Sequence, residues 1–248
     1  MKIIGFIAEK NRKTANFLFH IISRGDIAFP LSPRLPQKVI ENLPIDQIEP
    51  VVDKPFSFTP RKGPALMLLS SGSTGNGKIC TSTIANHLYS ARGSNEILPL
   101  CPNDAWLCDL PLFHIAGIAI LFRCYLAGAR VIFPGEPIDE ITHISYVPTQ
   151  LFRETRIFPK LKAMLIGGAA LPKALKTNRY PIMETYGSTE MCSQIATDYR
   201  GKGLEVLPYR QIKLDNDEIL VRGQTLCEGQ PLDNGWYRTG DLGKLENG

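Results

Sequence analysis

The sequence predicts an α/β chain on a doubly wound, largely parallel sheet, with a small, mainly β subdomain near the C-terminus. Three observations predict it. Short apolar runs alternate with amphipathic stretches; each run ends in a turn signal; and after about residue 195 the texture changes to alternating runs around a hairpin signal.

Residues 3–8 read as the first strand. Residues 14–23 read as a helix with Ala15, Leu18, Phe19 and Ile22 on one face and Gly25 as its stop, and residues 27–29 as a second strand. Further strands are predicted at 65–69, 106–110, 129–133, 143–147 and 161–166, with helices near 84–92 and 115–126 between some of them. Residues 210–214 and 218–222 flank Asp215-Asn216-Asp217, a hairpin signature. The expected division is an α/β core over 1–194 and a small β subdomain over 195–248.

The 248 residues, 44% apolar and 21% charged, suffice for a sizeable core. A net charge of +4, with no basic run longer than Arg12-Lys13 or Arg61-Lys62, gives nucleic-acid binding no support. None of the cysteines 80, 101, 108, 124, 192 and 227 forms a C-x-x-C pair, and several sit inside apolar segments, so they read as reduced core thiols. The apolar run at the N-terminus is too short for a secretory signal, and no later run reaches transmembrane length. The expectation is a cytoplasmic protein with no membrane span.

The strongest local signal is Leu68-Leu69-Ser70-Ser71-Gly72-Ser73-Thr74-Gly75-Asn76-Gly77-Lys78. Glycines let a backbone approach an anion and turn its N–H groups inward, hydroxyls add donors, and the lysine adds a mobile positive charge, which together suit a polyphosphate. Residues 72–78 also fit the first seven positions of a P-loop, which would make a phosphotransferase. The eighth is Ile79, which has no hydroxyl for magnesium.

Residues 70–78 instead resemble the phosphate loop of the adenylate-forming (AMP-binding) acyl-CoA synthetase superfamily, with Gly77 where that family usually has proline. Glu184-Thr185-Tyr186-Gly187-Ser188-Thr189-Glu190 resembles its Y-G-x-T-E motif. The resemblance implies that Tyr186 and Gly187 border the adenine, that Thr189 contacts the α-phosphate and that Glu190 helps hold Mg²⁺. Gly167-Gly168-Ala169-Ala170 resembles the segment whose backbone borders the base, and Gly235-Trp236-Tyr237-Arg238-Thr239-Gly240-Asp241 resembles the one whose aspartate binds ribose. Taken alone, each would read as a strand-end turn, and Glu190 as a solvated loop acid.

Leu110-Pro111-Leu112-Phe113-His114-Ile115-Ala116-Gly117 resembles the element whose histidine flanks the acyl pocket, which singles out His114 over His20, His87 and His143. Softer matches at residues 33–36, 126–130, 147–151 and 207–210 resemble the o-succinylbenzoate-CoA ligase branch. A keto-diacid substrate then makes Arg123, Thr149, Gln150 and Ser188 candidate pocket groups, Arg123 against the tendency of helix arginines to be solvated. The implied reaction joins the carboxylic acid to the α-phosphate of Mg·ATP, releases pyrophosphate, and passes the acyl group to CoA. Family members begin before and continue beyond the segments matched, so the resemblance implies that a C-terminal catalytic domain, carrying the adenylation lysine, is absent or supplied by a separate chain. The alternatives are a non-catalytic ATP- and acyl-binding remnant or, with less support, the P-loop phosphotransferase.

Overall fold

The computed structural model describes residues 1–54, 61–70, 77–98, 100–176 and 179–245. The predicted alternation of strands and helices holds. The strands divide into three sheets rather than one sheet with an appendage.

The first sheet contains β1 (Ile3–Ile7), β2 (Ile27–Leu31), β3 (Gln47–Ile48), β4 (Pro64–Leu69) and β5 (Ile79–Thr83) in the order β3-β1-β2-β4-β5. Its pairs are parallel except β4 with β5. All five residues of β2 are buried, as expected of a parallel strand covered on both faces. Helix α1 (Arg12–Ser23) starts where the Asn11 side chain accepts the Thr14 N–H at 2.8 Å. It ends where Gly25 takes φ +94°, a conformation that costs glycine little. Short α2 (Gln37–Ile40) and long α3 (Ile84–Ile97) complete this half.

The second sheet has the order β12-β11-β10-β9-β8-β6-β7: β6 (Ala105–Leu107), β7 (Arg130–Ile132), β8 (His143–Tyr146), β9 (Ala163–Ile166), β10 (Ile182–Ser188), β11 (Ser193–Thr197) and β12 (Glu205–Val206). It is parallel from β7 to β10 and antiparallel beyond. Helix α4 (Ile115–Ala127) is apolar nearly all round and buried over eight consecutive residues, 117–124, as suits a helix in the core. One core of α1, α3 and α4 side chains, including Phe17, Leu18, Ile84 and Phe122, joins Phe6 of the first sheet to Trp106 of the second. The helix α5 (Pro148–Arg153) follows β8 directly.

The third sheet is antiparallel: β13 (Arg210–Asp215), β14 (Glu218–Gly223), β15 (Leu232–Asp233) and β16 (Trp236–Leu242), ordered β13-β14-β16-β15. The predicted hairpin is present, with Asn216 at φ 50° and Asp217 at φ 64°, as a tight two-residue turn of that hand requires. Residues of β11 and β12, counted with the small subdomain on sequence texture, pair onto the second sheet instead, so the separate β layer starts at Arg210. The reason is long-range pairing, which texture does not report. No helix of the described residues is long and apolar enough to cross a membrane.

Candidate functional site

A cavity of about 500 Å³ opens where the ends of several strands meet. Ser70 follows β4; Ser145 to Val147 close β8; Gly167 and Gly168 follow β9; Gly187 and Ser188 end β10; and Thr189 and Glu190 form the turn into β11. His114, Ile115 and Ala116 enter at the start of α4, and Thr239 and Asp241 come from β16 of the third sheet. The carboxyl ends of parallel strands are where open α/β sheets bind ligands, since the loops there can diverge without disturbing the strands.

Two of the glycines are required by close approach. A Cβ on Gly187 would lie 2.1 Å from the Ser193 carbonyl oxygen, beside the irregularity in the β10–β11 pairing, and one on Gly167 would lie 2.3 Å from Thr185 Oγ1. Backbone therefore lines this wall where a side chain has no room. Glu190 sits above a buried cluster of Cys80, Cys192 and Cys227, and the Cys227 N–H donates to the Glu190 carbonyl at 2.7 Å. This bond ties the third-sheet segment to the turn. Burial, with Glu190 adding to it, pushes the Cys80 thiol well above its ordinary range, so it stays protonated.

Arg123 projects from α4 to the cavity floor and is 2% exposed. Its Nη2 donates to Ser193 Oγ at 3.3 Å and its guanidinium lies over Trp106, but Nε has no partner and no acidic side chain pairs with it among the described residues. Burial pushes its pKa down to about 9, with Arg210 contributing, so it remains charged at neutral pH. Arg210 lies behind the same strand, donating from Nε to the Gln194 carbonyl at 2.7 Å. Such a charge is desolvated and short of an anion, an arrangement that a carboxylate could complete.

Of the predicted residues, Ser70, His114, Arg123, Gly168, Gly187, Ser188, Thr189, Glu190 and Asp241 line this one cavity. Ser71, Gly72, Ser73, Thr74 and Gly75 lie outside the described residues. Lys78 is exposed, and its carbonyl accepts the Ser70 N–H at 2.8 Å, closing the base of the loop. Ala169 and Ala170 are exposed beside Gly168 without lining the cavity. Thr149 and Gln150 do not line it either. Thr149 is exposed because α5 turns it outward; Gln150 caps α5, accepting the Val147 N–H at 3.1 Å and donating to the Asp109 carbonyl at 3.0 Å. Tyr186 sits behind the wall, its ring packed on Met191, Ile195, Val221 and Tyr237 and its hydroxyl donating to Asp241 Oδ2 at 2.8 Å.

His114 occupies the N-cap position of α4 without capping it; its exposed ring lies beside Phe113, centroids 4.6 Å apart. Partial burial lowers its pKa, so the imidazole is neutral at pH 7. Together with Ser70 it also borders a second cavity of about 770 Å³, lined by Ser32, Lys38, Asn42 and Phe113 among others. Sequence reasoning missed Ser193, Gln194 and Thr239; the first two lie on a strand buried at every position, where two polar residues in succession were the available signal.

As a donor set, Glu190 is one carboxylate beside hydroxyls, a set that suits Mg²⁺, which is commonly held through one or two carboxylates and substrate phosphates. The ion would be held by Glu190 and the nucleotide's own oxygens.

Strand ends, a glycine-lined wall and the Asp241 carboxylate at the rim meet in one site of an α/β fold. The family model described as AMP-binding enzyme matches residues 35–228, and the chain belongs to that family. More particularly, it is 32% identical over 277 residues to the 2-succinylbenzoate–CoA ligase of Escherichia coli K12, covering 92% of this chain and 60% of that one. It is 37% identical over 205 residues to that of Salmonella typhimurium, covering 73% and 45%. The chain thus spans between about half and 60% of the length of these relatives. A structure of an E. coli MenE variant with bound OSB-AMS superposes with TM-score 0.88 at 28% identity, over 100% of this chain and 66% of that one. Bacillus subtilis MenE in complex with ATP and magnesium shares the fold, with TM-score 0.85 at 24% identity over 99% and 67%.

Proposed function

We propose that this chain carries the nucleotide- and acyl-binding half of an o-succinylbenzoate-CoA ligase, which activates the acid with Mg·ATP and passes the acyl group to CoA. The observation that carries this reading is the convergence of Ser70, Gly168, Thr189-Glu190 and Asp241, distant in sequence, on one cavity whose floor is a buried arginine. A fatty acid has one carboxylate, consumed in the reaction. A second carboxylate on the substrate gives Arg123 its missing partner, which supports a keto-diacid.

On this reading the glycine wall admits the flat base, Thr189 donates to the α-phosphate, Glu190 holds the cation, and Asp241 accepts from the ribose. The substrate carboxylate attacks the α-phosphorus and pyrophosphate leaves; the thiol of CoA then displaces AMP. Neutral His114 borders both cavities, and on this reading the thiol approaches the acyl carbon past it from the 770 Å³ side. These groups position and neutralise charge rather than form covalent bonds to the substrate, the kind of catalysis that depends on preorganisation.

The P-loop alternative places a helix directly after the loop, whereas here β5 follows it and runs antiparallel to β4. ATP–pyrophosphate exchange tests the proposal against a non-catalytic remnant. Exchange that requires o-succinylbenzoate and is lost in Glu190→Ala supports it. Binding of Mg·ATP without exchange, alone or with a C-terminal ligase domain added in trans, favours the remnant, and exchange driven better by a long-chain fatty acid moves the substrate elsewhere.

A further inference from the structure

We propose that the Tyr186 hydroxyl is a positioning group for ribose recognition: it holds the Asp241 carboxylate so that one oxygen is presented to the vicinal diol of the bound ribonucleotide. This rests on the adenylate-binding reading above. Tyr186 and Asp241 come from different sheets, β10 and β16, and meet at 2.8 Å through the tyrosine O–H and Asp241 Oδ2. The ring is anchored in the small core of Met191, Ile195, Val221 and Tyr237, so the hydroxyl is delivered from a fixed base. Asp241 has no such anchorage. It is exposed, follows Gly240 at φ +77°, pairs with no cation among the described residues, and is otherwise tied only through its own N–H to Thr239 Oγ1 at 3.1 Å.

An exposed carboxylate at a strand end populates several rotamers, and a ligand that needs one of them must supply the ordering. A buried donor that already holds Oδ2 removes that cost and leaves Oδ1 for the ligand. Burial and the neighbouring carboxylate both raise the pKa of Tyr186, so the phenol remains a donor at neutral pH. The arrangement separates two parts of one side chain: the ring serves packing, and the hydroxyl serves a carboxylate that touches the sugar. The ligand class selected is the ribonucleotide over its deoxy analogues, and neither base nor phosphates enter the argument.

Calorimetric titration of the full chain with AMP and with 2′,3′-dideoxy-AMP tests this. The wild type should prefer AMP, and Tyr186→Phe should lower AMP affinity about fivefold while leaving dideoxy-AMP unchanged. Asp241→Asn should lower it about tenfold with the same indifference of dideoxy-AMP, and the double variant should lose no more than Asp241→Asn alone. Equal losses for both nucleotides, or no loss for either, overturn the proposal. Should Tyr186→Phe fail to fold, ultraviolet difference titration of Asp241→Asn decides: one tyrosine should titrate at lower pH than in the wild type, and an unchanged titration overturns the contact. A folded wild type that binds neither nucleotide refutes the adenylate-binding reading and this proposal with it. AMP binding that is indifferent to the ribose hydroxyls refutes only the proposal.

Discussion

The floor and the rim of the cavity are built on opposite physical terms. At the floor, Arg123, Ser193 and Gln194 are at most 9% exposed and come from a helix and a strand of the central core. At the rim, Thr239, Gly240 and Asp241 belong to the end of an edge layer, and Asp241 is exposed. A charge at the floor acts through a poorly screened medium, so it selects by sign; one at the rim is screened by water and salt, so it selects by hydrogen-bond geometry. The difference teaches that one cavity can hold two kinds of recognition; on the proposed function the acid would be sorted by charge below and the nucleotide by geometry above.

The largest expected effect lies at the wall joining floor to rim. Gly187→Ala places a carbon 2.1 Å from the Ser193 carbonyl, a clash with backbone that neither strand can yield to, so urea unfolding should show a loss of about 3 kcal/mol or more. A loss below about 1 kcal/mol means that β10 and β11 separate more easily than the packing indicates.

At the floor itself, stability and binding should move apart. Arg123→Leu removes a buried charge with no acidic partner among the described residues, so stability should hold or rise by up to about 2 kcal/mol. Affinity for OSB-AMS should fall about 100-fold, as expected for losing a desolvated charge pair. Strong destabilisation with unchanged affinity would show the arginine to be structural and would erase the contrast with the rim.

Behind the floor, His87 stacks on Phe122 and contacts Ser82 Oγ at 2.7 Å, fully buried, and burial pushes its pKa down to about 3. The unfolded chain takes up a proton near pH 6.5 and the folded one does not, so stability is present above pH 6.5 and is lost as the pH falls towards 3. Between pH 6.5 and 5 this one group accounts for about 2 kcal/mol, and His143, lowered to about 4 by burial, acts in the same direction. A His87→Gln variant should flatten the pH dependence measured by denaturant unfolding. Rim variants should leave its slope unchanged.

The smallest effect is expected at the rim. Asp241→Asn should change stability by less than about 0.5 kcal/mol and weaken AMP binding about tenfold, read by calorimetry at two salt concentrations. A loss that vanishes in high salt would mean that Asp241 acts by long-range charge, and the contrast between floor and rim would then fail.

Part of the site was legible in two ways: Ser70 from its loop of glycines and hydroxyls, and Gly168, Thr189 and Asp241 only by resemblance to family motifs, since each segment alone reads as a strand-end turn. The structure brings all four to one cavity. Arg123 was legible only as a candidate, since a helix arginine surrounded by Leu121, Phe122 and Cys124 could face either way until α4 was seen buried over that stretch. Gln150 was a candidate only through the resemblance; its side chain bonds the backbone at the start of its own helix and does not line the cavity, which depends on how α5 packs. Thr149 shared that fate through the outward turn of α5.

Local order was determined by the sequence itself, because caps, turns and apolar periodicity act over a few residues. Gly25 ends α1, Asn216 and Asp217 make the hairpin, and an apolar run longer than a strand marks α4. The tertiary structure alone decided the rest. That β5 closes the first sheet, that β11 and β12 extend the second, and that Tyr186 reaches Asp241 across 55 positions depend on which distant surfaces bury each other. Such pairings are selected by the free energy of the whole core, to which each strand's own pattern contributes the same signal wherever it lies.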